Sequence, residues 1–215
     1  MTIKFYNSLT NRKEDFVPIC EGEVGMYVCG MTVYDNCHLG HARAMIAFDI
    51  LARYLRYRGY KLNFTRNITD IDDKIIDRAN ENKETIDALT ERTIASMHED
   101  FLKLGLELPT NEPRATDHIE GMINMISTLI EKGHAYHSKG GDVFFAVRTF
   151  AEYGKLSNKN IDDLNPGSRV EEDGSKKDPL DFVLWKSFVK FQKRFLSCDC
   201  PDYQLARQQA ESLAN

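Results

Sequence analysis

The chain has no apolar run approaching the roughly 18 residues that a membrane-spanning helix needs, and no basic stretch leading into an apolar core between Met1 and Thr10. Neither a spanning helix nor a secretory leader is expected, and the sequence reads as a soluble globular chain of the cytoplasm. It also lacks an excess of positive charge, with 28 Lys and Arg against 33 Asp and Glu, a net of −5. That balance argues against a protein that coats nucleic acid through phosphate contacts, while leaving room for a local basic patch. Internal repeats and low-complexity tracts are missing too. So is a disulfide pattern: the five cysteines, Cys20, Cys29, Cys37, Cys198 and Cys200, are an odd number in a chain of 215 residues, large enough to bury its own core. A content of 42% hydrophobic residues excludes intrinsic disorder.

What is present is an alternation of short apolar runs and helical periodicity. Ile3 to Tyr6 and Val24 to Cys29 predict strands, the second running into Cys29-Gly30 and a polar loop through Asn36. Helical spacing of Ile46, Ile50, Leu51, Tyr54 and Leu55 predicts a helix from Leu39 to Tyr57, stopped by Gly59, and Lys61 to Asn67 predicts the next strand. Strand, loop, helix, strand is a crossover unit when the strands are parallel, and such sheets bind ligands at the C-terminal ends of their strands. The expected site therefore lies around Cys29 to His41 and Asn67 to Asp73.

Asp72 to Asn80 and Thr85 to Leu104 read as further helices, the latter with a stripe of Ile86, Leu89, Met97, Phe101 and Leu104. Asp117 with Glu120 resembles a capping box ahead of Met122, Ile126 and Leu129. The pattern then changes: His134 to His137, the turn Ser138-Lys139-Gly140-Gly141 and Asp142 to Val147 suggest an antiparallel hairpin. A subdomain is expected to begin near Pro113. Asn165 to Pro179 is the most loop-like stretch.

The densest chemical signal is Cys29-Gly30-Met31-Thr32-Val33-Tyr34-Asp35-Asn36-Cys37-His38-Leu39-Gly40-His41. Three readings fit it. His38 and His41 at a helix N-terminus are placed to hold a triphosphate, where free N–H groups and the helix dipole already favour an anion. Fixed donors there stabilise the charge that builds on the α-phosphorus oxygens during attack, and Gly40 leaves a flat surface for a base or ribose. Alternatively, Cys29, Cys37, His38 and His41 together form a zinc site. In the third reading both histidines simply cap the helix. Asp70, Asp72 and Asp73 open the following helix and are read as caps rather than metal ligands. Cys20 and Cys37 receive no role.

Tyr27-Val28-Cys29-Gly30-Met31-Thr32-Val33-Tyr34-Asp35, followed by His38-Leu39-Gly40-His41 and by Asn67-Ile68-Thr69-Asp70-Ile71-Asp72-Asp73-Lys74-Ile75-Ile76, resembles the class I cysteinyl-tRNA synthetases. Asp181-Phe182-Val183-Leu184-Trp185-Lys186 is a third family-like segment, so the resemblance covers residues 1–187. It implies an α/β fold, the Rossmann-like open parallel sheet of the class I catalytic domain, with its N-terminal, nucleotide-binding half at 1–112, a mixed α+β insertion at 113–187 and a non-family tail at 188–215. It further implies an enzyme that activates cysteine with ATP and magnesium and transfers the product to its tRNA. On these positions Cys29 is a zinc ligand, Gly30, Thr32 and Thr69 line the amino-acid pocket, and His38, Gly40 and His41 bind ATP, the histidines acting in catalysis. Zinc suits the task because a thiolate-preferring metal separates cysteine from serine without editing.

Beyond Ser187 the sequence departs from that pattern. The resemblance calls for a second cysteine, a histidine and a glutamate as further zinc ligands, yet His137 is the last histidine, and no Lys-Met-Ser-Lys-Ser loop or anticodon-binding region follows. Cys198 and Cys200 form only a C-x-C pair without a partnering histidine. The expectation is a chain that ligates poorly alone. An inactive nucleotide- or partner-binding fragment, or a ligase joining cysteine to a small-molecule amine, stands as the alternative.

Overall fold

The computed structural model describes residues 2–161 and 176–186. They form two compact units, one of residues 18–119 and the other of 2–17 together with 120–161 and 176–186. Cys198, Cys200, most of the expected loop at 165–179 and the expected tail at 188–215 lie outside the described residues.

The first unit is built on a parallel pair, β3 (Glu23–Val28) and β4 (Lys61–Arg66), joined by α1 (Leu39–Tyr57). β1 (Lys4–Asn7) and β2 (Arg12–Asp15) belong to the other unit. Register runs from Glu23 beside Lys61 to Val28 beside Arg66, so residues 29–33 and 67–69 leave the pair side by side at its C-terminal end. The far edge of β4 is lined by 110–115, which run parallel to it through Arg66 N–H to Asn111 O at 3.0 Å and Ile68 N–H to Pro113 O at 2.9 Å. α2 (Asp73–Asn82) and α3 (Ile86–Lys103) pack on this frame, with Val28, Val33, Phe64, Ile68, Ile75, Leu89, Ile94, Met97 and Phe101 in one core. Asp72 caps α2 by accepting from Lys74 N–H, and Thr85 caps α3 from Ala88 N–H, as polar residues at helix starts do.

α1 has the predicted limits, and of its five regularly spaced apolar residues Leu55 is buried and Ile46 packs against the core. Ile50 is 62% exposed and Tyr54 42%, whereas Met45, Asp49, Ala52 and Leu55 are buried. Asp49 is tolerated there because its carboxylate accepts from Glu107 N–H at 2.8 Å and from Arg53 Nε at 2.7 Å, so a polar residue stands in the apolar phase. Leu104, assigned to the α3 stripe, is 48% exposed; the buried positions are Leu89, Thr90, Thr93, Ile94, Met97 and Phe101. No helix among the described residues is long and apolar enough to cross a membrane.

In the second unit β1 and β2 form an antiparallel hairpin. α4 (Ile119–Glu131) leads to the predicted hairpin, β5 (Ala135–His137) and β6 (Val143–Phe145), with β7 (Phe182–Trp185) added antiparallel to β6. Where a capping box was expected at Asp117, a single 3-10 turn, Thr116–His118, runs into α4 with no side-chain cap at Ala115. Buried Asp181 organises this unit, accepting from the Tyr136 hydroxyl at 2.6 Å and from Val147 N–H at 3.0 Å. Burial, then the Asp181 hydrogen bond, push the Tyr136 phenol up to about 12.

Candidate active site

The site begins where β3 and β4 end. Gly30 N–H donates to Asn67 Oδ1 at 2.8 Å, and the backbone of 31–33 pairs with Thr69 through Val33 N–H to Thr69 O at 3.1 Å and Thr69 N–H to Met31 O at 3.3 Å. Thr32 and Thr69 are partners in a parallel bridge, so the three residues assigned to the amino-acid pocket stand together. Gly30 is required there for a steric reason. A Cβ would sit 1.6 Å from Asn67 O and 2.8 Å from its carbonyl carbon, both backbone atoms that cannot swing aside.

Beneath this junction the chain is immobilised. Arg66, 3% exposed, donates to Glu112 from Nε at 3.1 Å and from a terminal nitrogen at 2.6 Å, and lies 4.9 Å from the centroid of the Phe101 ring. Glu112 also meets His98 Nε2 at 2.6 Å. Asp70, 4% exposed, accepts from Thr116 N–H at 3.0 Å and from the Thr116 hydroxyl at 2.6 Å. Its carboxylate is thus a latch between the β4 end and 110–116.

The histidines open α1. His38 is the N-cap, and its Nδ1 accepts from Gly40 N–H at 3.0 Å. His41 Nδ1 accepts from His38 N–H at 3.4 Å, completing a reciprocal cap, and the two rings stack with centroids 3.8 Å apart at 25°. With Nδ1 of each ring accepting, the neutral tautomer carries its proton on Nε2. Desolvation, then the neighbouring His38, lower the His41 pKa from its usual range. The capping reading is thus what the structure builds: Nδ1 of each ring serves the helix start, and Nε2 of each takes no part in the cap. At Gly40 the absence of a Cβ serves the His38 ring. A Cβ there would meet His38 Cε1 at 2.8 Å, so the glycine makes room for that ring.

The four-residue zinc reading is not what the fold builds. Cys37 packs against the core with its thiol 3.5 Å from Met31 Sδ, and burial followed by the charge of Asp100 raises its pKa, which disfavours the thiolate that zinc needs. Cys29 is exposed, and the Tyr27 phenol, raised first by burial and then by the Cys29 thiol, lies beside it. Among the described residues no three His, Cys, Asp or Glu side chains converge as a metal site. Cys29 alone does not fit zinc, which takes three or four protein ligands.

Asn67 lies in the stretch where the site was expected but was given no role, and Tyr27 stood just outside that stretch. The Tyr27 hydroxyl donates to Asn67 Oδ1 at 2.9 Å, and Asn67 Nδ2 donates to Thr69 Oγ1 at 3.3 Å. The only sequence signal was their membership of the two motif blocks.

Compared with known proteins, residues 15–199 match the family model of the catalytic domain of class I (C) tRNA synthetases. The chain belongs to this family. Its α/β core, with α1 crossing between parallel β3 and β4, is accordingly the Rossmann-like catalytic domain of class I synthetases. A cysteine–tRNA ligase of Shewanella pealeana is 59% identical over 184 residues, covering 86% of this chain and 40% of the relative. One of Pseudomonas fluorescens is 61% identical over 185 residues with the same shares. The chain therefore spans about 40% of the length of the curated synthetases it matches. Among solved structures, a ternary complex of the Agrobacterium radiobacter K84 LeuRS with tRNA and LeuAMS is 22% identical at a TM-score of 0.49, covering 60% of this chain and 17% of that one.

Proposed function

We propose that this chain carries the ATP- and amino-acid-binding part of a cysteine–tRNA ligase, which forms cysteinyl-adenylate and passes the cysteinyl group to tRNA in the cytoplasm. The observation that supports it best is the convergence of Gly30, Thr32 and Thr69 at the strand ends, beside the loop that leads into the capped His38–His41 pair. In this reading a cysteine carboxylate oxygen attacks the α-phosphorus of ATP, the bond to the bridging oxygen breaks, and pyrophosphate leaves. His38 and His41 offer Nε2–H donors to the phosphate oxygens, whose charge grows in the transition state. The mutual caps hold both rings in place beforehand, so little reorganisation is required when charge develops. Gly30, Thr32 and Thr69 orient the amino acid. The subsequent attack of a tRNA ribose hydroxyl on the acyl carbon releases AMP.

Magnesium accompanies ATP as its counter-ion. Zinc enters no step here, because Cys29 is the single described residue assigned to it. The proposal is tested by calorimetric titration of ATP. Weak binding is expected, and the double change His38→Ala and His41→Ala should abolish it; unaltered binding would remove the anion site from this helix start.

A further inference from the structure

Asn67 receives no role in that scheme, yet its side chain joins three other residues of the two strand ends. Its Oδ1 accepts from both Gly30 N–H at 2.8 Å and the Tyr27 hydroxyl at 2.9 Å, filling both lone pairs. Its Nδ2 donates to Thr69 Oγ1 at 3.3 Å, and its backbone oxygen occupies the space where any Cβ on residue 30 would go. On either side the chain is fixed. Arg66 is buried against Glu112, and Ile68, 3% exposed, donates to Pro113 O and accepts from Ala115 N–H. A side chain held between two such residues is a rigid template for whatever it touches.

We propose that Asn67 is the positioning residue of the amino-acid pocket: it fixes the Gly30 peptide and turns the Thr69 hydroxyl so that its proton faces the substrate carboxylate. The inference rests on the assignment of Gly30 and Thr69 to that pocket. The chemistry follows from the direction of one hydrogen bond. Thr69 Oγ1 receives an amide proton, so its own O–H is released to donate elsewhere, and the carboxylate of an amino acid is an acceptor only. Hydrogen bonds to a charged group are the stronger ones, and this donor would be oriented before substrate arrives.

The substitution Asn67→Asp separates positioning from folding. Aspartate keeps two acceptors for Gly30 N–H and the Tyr27 hydroxyl but has no proton for Thr69, whose O–H then turns inward to the new carboxylate. The probe is free L-cysteine, whose carboxylate is intact, titrated into the 215-residue chain, with Thr69→Ala completing a double-mutant cycle. N67D should melt like the parent and bind about tenfold more weakly, the scale of one hydrogen bond to a charged group. In the T69A background the same change should cost less than about twofold, because the group through which it acts is gone. Equal binding by N67D and the parent would overturn the proposal. So would an undiminished loss in the T69A background, which would mark a field effect of the new charge.

A second readout is independent of ligand. Asn67→Ala should accelerate hydrogen exchange at the Gly30 amide while N67D leaves it protected, and unchanged exchange in N67A would show that Asn67 holds nothing. Failure of the parent chain to bind cysteine would instead count against the proposed function, with Gly30 exchange still deciding whether Asn67 positions the loop.

Discussion

Replacing Gly30 by alanine places one methyl group against two backbone atoms of Asn67, at 1.6 and 2.8 Å. Contacts that close do not occur, and neither partner is a side-chain end that can rotate away. β4 cannot yield either, since Arg66 is clamped by Glu112 and Ile68 is bonded on both sides to 113–115. The Cys29–Gly30 peptide must therefore move by well over an ångström, giving up its hydrogen bond to Asn67 Oδ1. Overpacking costs about 1–3 kcal/mol and the lost hydrogen bond about 1 kcal/mol, for a combined destabilisation of about 2–4 kcal/mol. With a urea slope of about 2 kcal/mol/M, the unfolding midpoint should fall by about 1–2 M at unchanged slope. Gly25, in β3, is the matched control: a methyl group added there meets nothing within 4 Å, and Gly25→Ala should shift the midpoint little. If G30A and G25A unfold at the same urea concentration, the close approach of the two strand ends is wrong, and with it the geometry assigned to the pocket.

Two further outcomes follow from the same frame. Arg66→Met removes the guanidinium from the largely buried Glu112 carboxylate and should destabilise by about 3 kcal/mol in urea unfolding; adding Glu112→Gln should recover part of that loss. His41 should titrate below 6.5 when followed by NMR of its ring protons. Because its folded value lies below the unfolded one, the unfolded state takes up the proton first on acidification. Its contribution to stability is then complete above 6.5 and is lost as the pH falls through the lowered folded value. A His41 midpoint at or above the ordinary value would contradict the desolvated, stacked arrangement.

The sequence made the first crossover unit legible because its signals were local. Gly59 after a long periodic run set the end of α1, and alternation in Lys61 to Asn67 marked β4. The inward face of α1 was legible only in part because Asp49, satisfied by Glu107 and Arg53, occupies a core position that a hydrophobic count skips. β2 is too charged, as Arg12-Lys13-Glu14-Asp15, to read as a strand, and β7 is defined by pairing with β6 across nearly forty residues of sequence. The motif loop yielded residue types but not directions. That Cys37 faces Met31 and the core, and that Gly40 accommodates the His38 ring, depends on backbone turns that spacing does not encode. The pairs Arg66–Glu112 and Asp70–Thr116, each anchored by one buried residue, join residues 46 apart, and neither partner is conspicuous alone.

The most direct test of the central claim is ATP–pyrophosphate exchange dependent on cysteine, measured with this chain mixed with a fragment carrying the remaining length of a cysteine–tRNA ligase relative. Exchange should appear with cysteine and not with serine, require both components, and disappear when His38→Ala and His41→Ala are introduced here. Absence of exchange from a mixture shown to associate, or exchange indifferent to the two histidines, would contradict it.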